Sequence, residues 1–161
     1  MKNPTPIAEE LIAPCGMNCA VCSRYLSYRN HLGRSRCVGC RPRNQPCAYL
    51  FHGCAGINQD IPTGRANFCS ECDRYPCKSI RRMDNRYQKN YGMSTMENLN
   101  RIRSKGMHEF LEEQYRGHRC PGCSGLISVH NGKCFRCDPV TKLVEKNIQE
   151  SDRKKKQSGE K

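Results

Sequence analysis

Tryptophan is absent from the chain, phenylalanine occurs four times, and only 36% of the 161 residues are hydrophobic. Such a chain buries too little apolar area for an ordinary core to hold it, so it needs disulfides or metal ions as staples. No apolar run approaches the roughly 18 residues of a membrane span, which predicts no membrane association. Residues 1–14, MKNPTPIAEELIAP, lack the apolar stretch of a secretory signal. That predicts a cytoplasmic protein in a reducing compartment, where disulfides do not persist. Catalytic signatures are missing as well. There is no Gly-x-x-x-x-Gly-Lys phosphate cradle and no local Ser/His/Asp or Cys/His/Asn pattern. Glu9/Glu10 and Glu112/Glu113 read as solvated helix faces, not as paired acid–base groups. This reading favours a protein that is not an enzyme.

Cysteine, by contrast, is abundant: the chain holds fourteen. Ten of them form five Cys-x-x-Cys pairs, at Cys19/Cys22, Cys37/Cys40, Cys69/Cys72, Cys120/Cys123 and Cys134/Cys137. This spacing strains a disulfide but aims two thiolates at one tetrahedral ion. Zinc, about three ions per chain, is the expected cofactor. A zinc held by four thiolates carries a net −2, so the formal charge of +13 falls to about +7 once three sites are filled. The loaded protein is basic, but less so than its composition suggests.

Composition divides the chain into a leader (1–14), a cysteine-rich metal-binding module (15–77), a helical segment (78–117), a zinc ribbon (118–138) and a charged tail (139–161) expected to be disordered. In the leader, Ile7, Leu11 and Ile12 suit one short helical turn. Residues 15–77 hold ten cysteines and no lysine, and the spacing predicts short helices over 19–31 and over 47–54 (CAYLFHGC). In 78–117 the apolar residues recur at helical period. One helix is expected over 78–89, with Ile80, Met83 and Tyr87 inward. A second opens at the Ser94-x-x-Glu97 capping box and closes at Gly106. A third covers 107–116, with Met107, Phe110 and Leu111 inward and Gly117 as its stop. The predicted fold class is a small metal-stabilised α+β protein: short helices and knuckles, a three-helix middle segment and a C-terminal zinc-ribbon β-hairpin.

Cys120, Cys123, Cys134 and Cys137 form the most specific constellation. Their pairs are ten residues apart, Leu126, Ile127 and Val129 favour strand, and Asn131-Gly132 reads as a two-residue hairpin turn. Each pair predicts a knuckle whose backbone N–H groups donate to sulfur. Four thiolates leave no open coordination position, so the site reads as structural. In the N-terminal module the preferred partition gives one site to Cys19, Cys22, Cys37 and Cys40, and another to Cys54, Cys69, Cys72 and Cys77. Cys22 to Cys37 and Cys54 to Cys69 each enclose fourteen residues. Cys15 and Cys47 remain as additional metal or redox positions, and spacing allows either to replace a neighbour. Cys15, Cys19 and Cys22 also match the C-x-x-x-C-x-x-C spacing of an Fe–S cluster. His52 is a candidate nitrogen ligand; His118 and His130 read as solvent-exposed. Arg34, Arg36, Arg41 and Arg43 bracket Cys37/Cys40. Their first reading is to offset thiolate charge and pack their stems on the metal shell. The other is to clamp a phosphate backbone.

The segments APCGMNCAVC (13–22) and FCSECDRYPC (68–77), continuing through RYQKNYGMSTMENLNRIRSKGMHEFLEEQ to RCPGCSGLISVHNGKCFRC, carry a resemblance. Over roughly residues 12–137 the chain resembles a family of small cysteine-rich proteins, mostly bacterial and archaeal, of unknown function and presumed to bind zinc. The resemblance implies a metal-binding fold and transfers no activity. In the family pattern the positions matching Cys15, Cys19, Cys22, Cys54, Cys69, Cys72 and Cys77 are the characteristic ones. The expected function is a zinc-binding structural and interaction protein whose partner is a nucleic acid or another protein. The alternative is an Fe–S, thiol-redox or metal-handling protein built on the N-terminal cysteines.

Overall fold

A computed structural model describes residues 6–41, 54 and 59–138. The expected helix over 47–54, with Cys47 and His52, lies outside the described residues except for Cys54, and so does the charged tail. Among the described residues there are four α-helices: α1 (Ser23–Arg29), α2 (Lys78–Tyr91), α3 (Thr95–Lys105) and α4 (Met107–His118).

Helices α2 to α4 lie where the apolar period places them. Helix α2 ends at Gly92, whose φ of 63° closes the last turn. Helix α3 opens on Ser94, whose hydroxyl accepts the Glu97 N–H at 3.0 Å. Gly106 ends α3 and begins α4, and α4 runs through Gly117 to His118. Behind Ser94 lies the buried carboxylate of Asp84, from α2. It accepts from the Ser94 hydroxyl at 2.8 Å, from Met96 N–H at 3.0 Å and from the Thr95 hydroxyl at 3.3 Å. A negative charge at a helix N-terminus suits the orphan N–H groups there. Burial alone would raise the Asp84 pKa, but these hydrogen bonds, with one from Gln88, hold it below the usual carboxylate value.

The core forms around the N-terminal segment. Ile7, Leu11, Ile12, Ala13, Cys15, Met17, Cys19 and Ala20 pack against Ile80 and Met83 of α2 and Phe110 and Leu111 of α4. All residues of 11–21 are buried. The chain reverses within this segment. Ile12 bridges Asn18, Ala13 N–H donates to Met17 O at 2.8 Å, and Gly16 sits at φ +86°. A Cβ on Gly16 would lie 2.4 Å from the Thr95 carbonyl oxygen and 2.8 Å from Leu99 Cγ, so this position needs glycine for both space and conformation.

Two expectations are corrected. The helix over 19–31 is broken. A single turn at Cys19–Val21, capped by the Asn18 side chain, ends at Cys22, whose ψ of 132° is extended, and only then does α1 begin. The α+β class and the C-terminal zinc-ribbon β-hairpin are overturned too. Among the described residues no β-strand forms. There are only isolated bridges, Ile12 with Asn18, Arg119 with Leu126 and Ile127 with Cys134. A two-residue Asn-Gly turn would have started a ladder. Instead Ser128 N–H reaches Lys133 O at 2.9 Å across a wider loop, and Val129 N–H leaves the loop to donate to Val21 O at 2.9 Å. The backbone donors that a ladder needs are spent on docking. The fold is helical, with a cysteine cluster.

Gly16→Ala is expected to destabilise the protein by about 3 kcal/mol or more. Gly92→Ala, where φ is 63° but nothing lies within 4 Å of the added carbon, costs about 1 kcal/mol. Urea unfolding of both variants checks the contrast. Asp84 has a depressed pKa, so its contribution is complete above the unfolded carboxylate value of about 3.9 and is lost as pH falls below it. The stability gap between wild type and Asp84→Asn should be constant near neutrality and shrink below about pH 4.

Candidate metal centre

The C-terminal cysteines converge. The Cys120, Cys123, Cys134 and Cys137 sulfurs all lie within 4.8 Å of one another, and this group could hold a metal ion. Cys120 and Cys137 Sγ are 3.8 Å apart, and Cys123 and Cys134 Sγ are 3.5 Å apart. A regular tetrahedron with metal–sulfur bonds of about 2.3 Å has edges of about 3.8 Å, so the donor set fits a single ion. Among the described residues this is the one group of at least three Cys, His or carboxylate side chains that comes so close.

The knuckles explain the convergence. Backbone N–H groups of Gly122 and Cys123 point to Cys120 sulfur, and those of Arg136 and Cys137 to Cys134 sulfur. Ser124, at φ 57°, turns the first knuckle back so that Cys120 N–H meets Gly125 O at 2.7 Å. Asp138 closes the second, its carboxylate accepting Cys134 N–H at 2.9 Å. These N–H donors pull the Cys120 thiol down to about 7, while the Cys137 thiol, which can donate its proton to the three neighbouring sulfurs, is pushed up to about 12. The first proton leaves easily and the last does not, because the sulfurs share one small volume. A bound cation removes that penalty.

The cluster is anchored at both ends. Ile127 N–H donates to His118 O at 2.7 Å, at the end of α4. Leu126 and Phe135 pack with Leu26 and Leu32. His118 and His130 are half-buried rather than exposed. Ser23 N–H, in the first turn of α1, donates to His130 Nδ1 at 3.1 Å. Nδ1 is therefore the bare nitrogen, and Nε2 faces the Tyr87 hydroxyl at 3.5 Å. The Tyr91 ring meets the imidazole edge-on, with centroids 4.7 Å apart. Sequence reading missed this plug, and also Asp138, although an Asp four residues after Cys134 is a cue for a capped turn.

The N-terminal cysteines are placed differently. Cys54, Cys69, Cys72 and Cys77 line one cavity of about 20 Å³, together with Asp60, Ile61, Ala66 and Tyr75. That is room for one water-sized guest. Glu71 holds the Cys69 turn by accepting Asn67 N–H at 2.6 Å, and Cys77 stands at the N-terminal boundary of α2. Cys15 and Cys19 are buried at 3% and 5% exposure. Cys22 is half-buried; burial pushes its thiol up, against N–H donors from Arg24 and Tyr25, and Cys37 lies near enough to add to the rise. Cys37 and Cys40 are half-buried. Arg41 donates through Nε to Ile12 O at 2.7 Å and through Nη2 to Asn67 O. Its guanidinium lies 4.7 Å from the Phe68 ring centroid, within the field of Cys15, Cys69 and Cys19. Among the described residues no helix is long and apolar enough to cross a membrane.

Burial lowers the His130 pKa, so its neutral form stabilises the docked cluster. That stability is complete above the unfolded value of about 6.5 and is lost as pH falls below it. His130→Gln should flatten the stability–pH curve between about pH 5 and 6.5, and thermal melts across that range check it.

No curated protein and no solved structure matches the chain. The four-cysteine cluster at 120–137 lies beyond the one segment for which a family model was matched. That segment, residues 11–82, matches the family described as "Protein of unknown function (DUF3795)", so the resemblance carried by the two cysteine motifs is to an uncharacterised cysteine-rich family.

Proposed function

We propose that the protein is a zinc-stabilised structural and interaction module. The observation that carries this reading is the single-ion spacing of Cys120, Cys123, Cys134 and Cys137. A [4Fe–4S] cluster spreads four thiolates over four irons and a [2Fe–2S] cluster over two, and both need the sulfurs further apart, so the spacing favours a single ion, for which zinc is the usual four-thiolate occupant. Four thiolates fill its coordination and leave no position for substrate; the ion holds structure. A second zinc belongs to Cys54, Cys69, Cys72 and Cys77, a set supported by the cavity they share. Cys19, Cys22, Cys37 and Cys40 form the third, a set supported by the proximity of Cys22 to Cys37. Cys15 and Cys47 are reserve positions. With its core held this way, the module offers its outer surface to a nucleic acid or a protein.

Elemental analysis and an absorption spectrum of one anaerobic sample test the reading. The expected result is about three zinc per chain and no visible band. Cys120→Ser/Cys123→Ser should lose about one equivalent and keep the rest. Iron with a brown chromophore would overturn the zinc assignment.

A further inference from the structure

Helix α2 has two opposite faces. Ile80, Met83, Asp84 and Tyr87 turn toward the protein. At 100° per residue, Lys78, Arg81, Arg82, Asn85 and Lys89 fall within an arc of about 100° on the other side, and all five are exposed. No acid interrupts them, because Asp84, the acid of this helix, is buried and spent on the α3 N-terminus. Among the described residues no carboxylate pairs with Lys78, Arg81, Arg82 or Lys89. Helices α3 and α4 are the contrast: Arg101 pairs with Glu97 and Glu113, and Lys105 with Glu109 and Glu113. Pro76, Lys78, Arg81, Arg82 and Asn85 also line an open groove at the start of α2, where Arg81 Nε rests on Pro76 O at 3.2 Å.

We propose that this row binds the phosphodiester backbone of a nucleic acid without reading its sequence. The row runs about 16 Å along the helix, a length over which a duplex carries about ten phosphate charges. Its groups are Lys, Arg and Asn donors, the kinds that contact phosphate. It holds no apolar or aromatic residue, whereas a protein interface is centred on such anchors and is depleted of lysine. The proposal deepens the interaction role above by naming the surface and the class of partner.

The test uses the full zinc-loaded chain with a labelled single-stranded oligonucleotide and a duplex. With four cations engaged, affinity should fall about 100-fold between about 50 and 200 mM salt. Lys78→Gln/Arg81→Gln/Arg82→Gln/Lys89→Gln changes only exposed side chains. It should melt as wild type does and lose most of both the affinity and the salt slope. Equal binding by this variant, salt-insensitive binding, or equally tight binding of polyglutamate would overturn the proposal. Zinc content measured on the same samples separates the two readings. Full zinc with binding unchanged in the variant sinks the basic row alone. Row-dependent binding by a chain without zinc sinks the zinc scaffold alone.

Discussion

A buried peptide carbonyl must find a donor, and this demand organises the molecule around residues 11–21. That segment is buried throughout, and its polar groups are satisfied from widely separated parts of the chain. Arg41 reaches Ile12 O, Cys69 N–H reaches Pro14 O, Asn98 reaches Gly16 O and Val129 N–H reaches Val21 O. The fully buried Asn18 side chain bonds Gln114 of α4 and its own turn at Ala20. The cysteine loops, α3, α4 and the C-terminal cluster thus all close on one stretch of backbone. In a chain with so little apolar area, such bonds do more than satisfy polarity: each fixes the position of a separate element on the core. No buried side-chain N or O atom among the described residues lacks a partner.

The same economy explains the use of arginine near the thiols. A lysine at position 41 would offer one ammonium point. The Arg41 fork serves two carbonyls at once, lies over Phe68 and keeps its charge beside Cys15, Cys69 and Cys19. Its stem and its charge both contribute, as the reading of arginine as thiolate counter-charge requires. At the C-terminal cluster the backbone takes this part, Arg136 included, through its N–H to the Cys134 sulfur. Knuckle N–H groups ease the cluster's first ionisation, and a cation bound there would offset the rest.

What the sequence made legible follows from the range over which each signal acts. The three long helices were readable because a period of 3.6 residues and the Ser94 and Gly106 signals are local, and packing had no reason to override them. The C-terminal knuckles were readable for the same reason: donation to sulfur is decided within four residues. The hairpin was not, because its fate rested on Val129 N–H meeting Val21 O, a contact between positions far apart in the chain. The His130 plug failed for that reason too, since its partners Ser23, Tyr87 and Tyr91 come from α1 and α2. Gly16 was visible as part of a motif, but its need for glycine comes from Thr95 and Leu99 on α3. Spacing grouped Cys54, Cys69, Cys72 and Cys77; these line one cavity, but among the described residues only the C-terminal sulfurs converge as a group to within 4.8 Å of one another. It could not reveal that Cys15 is buried in the core.

The cysteine cavity and the basic row meet at one residue. Cys77 lines the cavity and stands at the N-terminal boundary of α2 without a side-chain cap bond, and Lys78, the first cation of the row, follows it directly. In the proposed scaffold, a metal held through Cys77 would fix the first turn of α2, the part of a helix that frays most readily when its N–H groups lack partners. From there the row is carried by a helix whose inner face is locked by Ile80 and Met83 and whose C-terminus is closed by Gly92. Orientation matters for a row of charges more than for a diffuse patch. Cations that are free to splay lose entropy on binding a polyanion, whereas cations on a fixed helix have already lost it. On the proposed reading, a metal at Cys77 and a polyanion along α2 would be coupled through the Cys77–Lys78 peptide unit. By linkage that coupling is mutual: a metal that orders the first turn would favour the polyanion, and a polyanion on the row would favour the metal by the same factor.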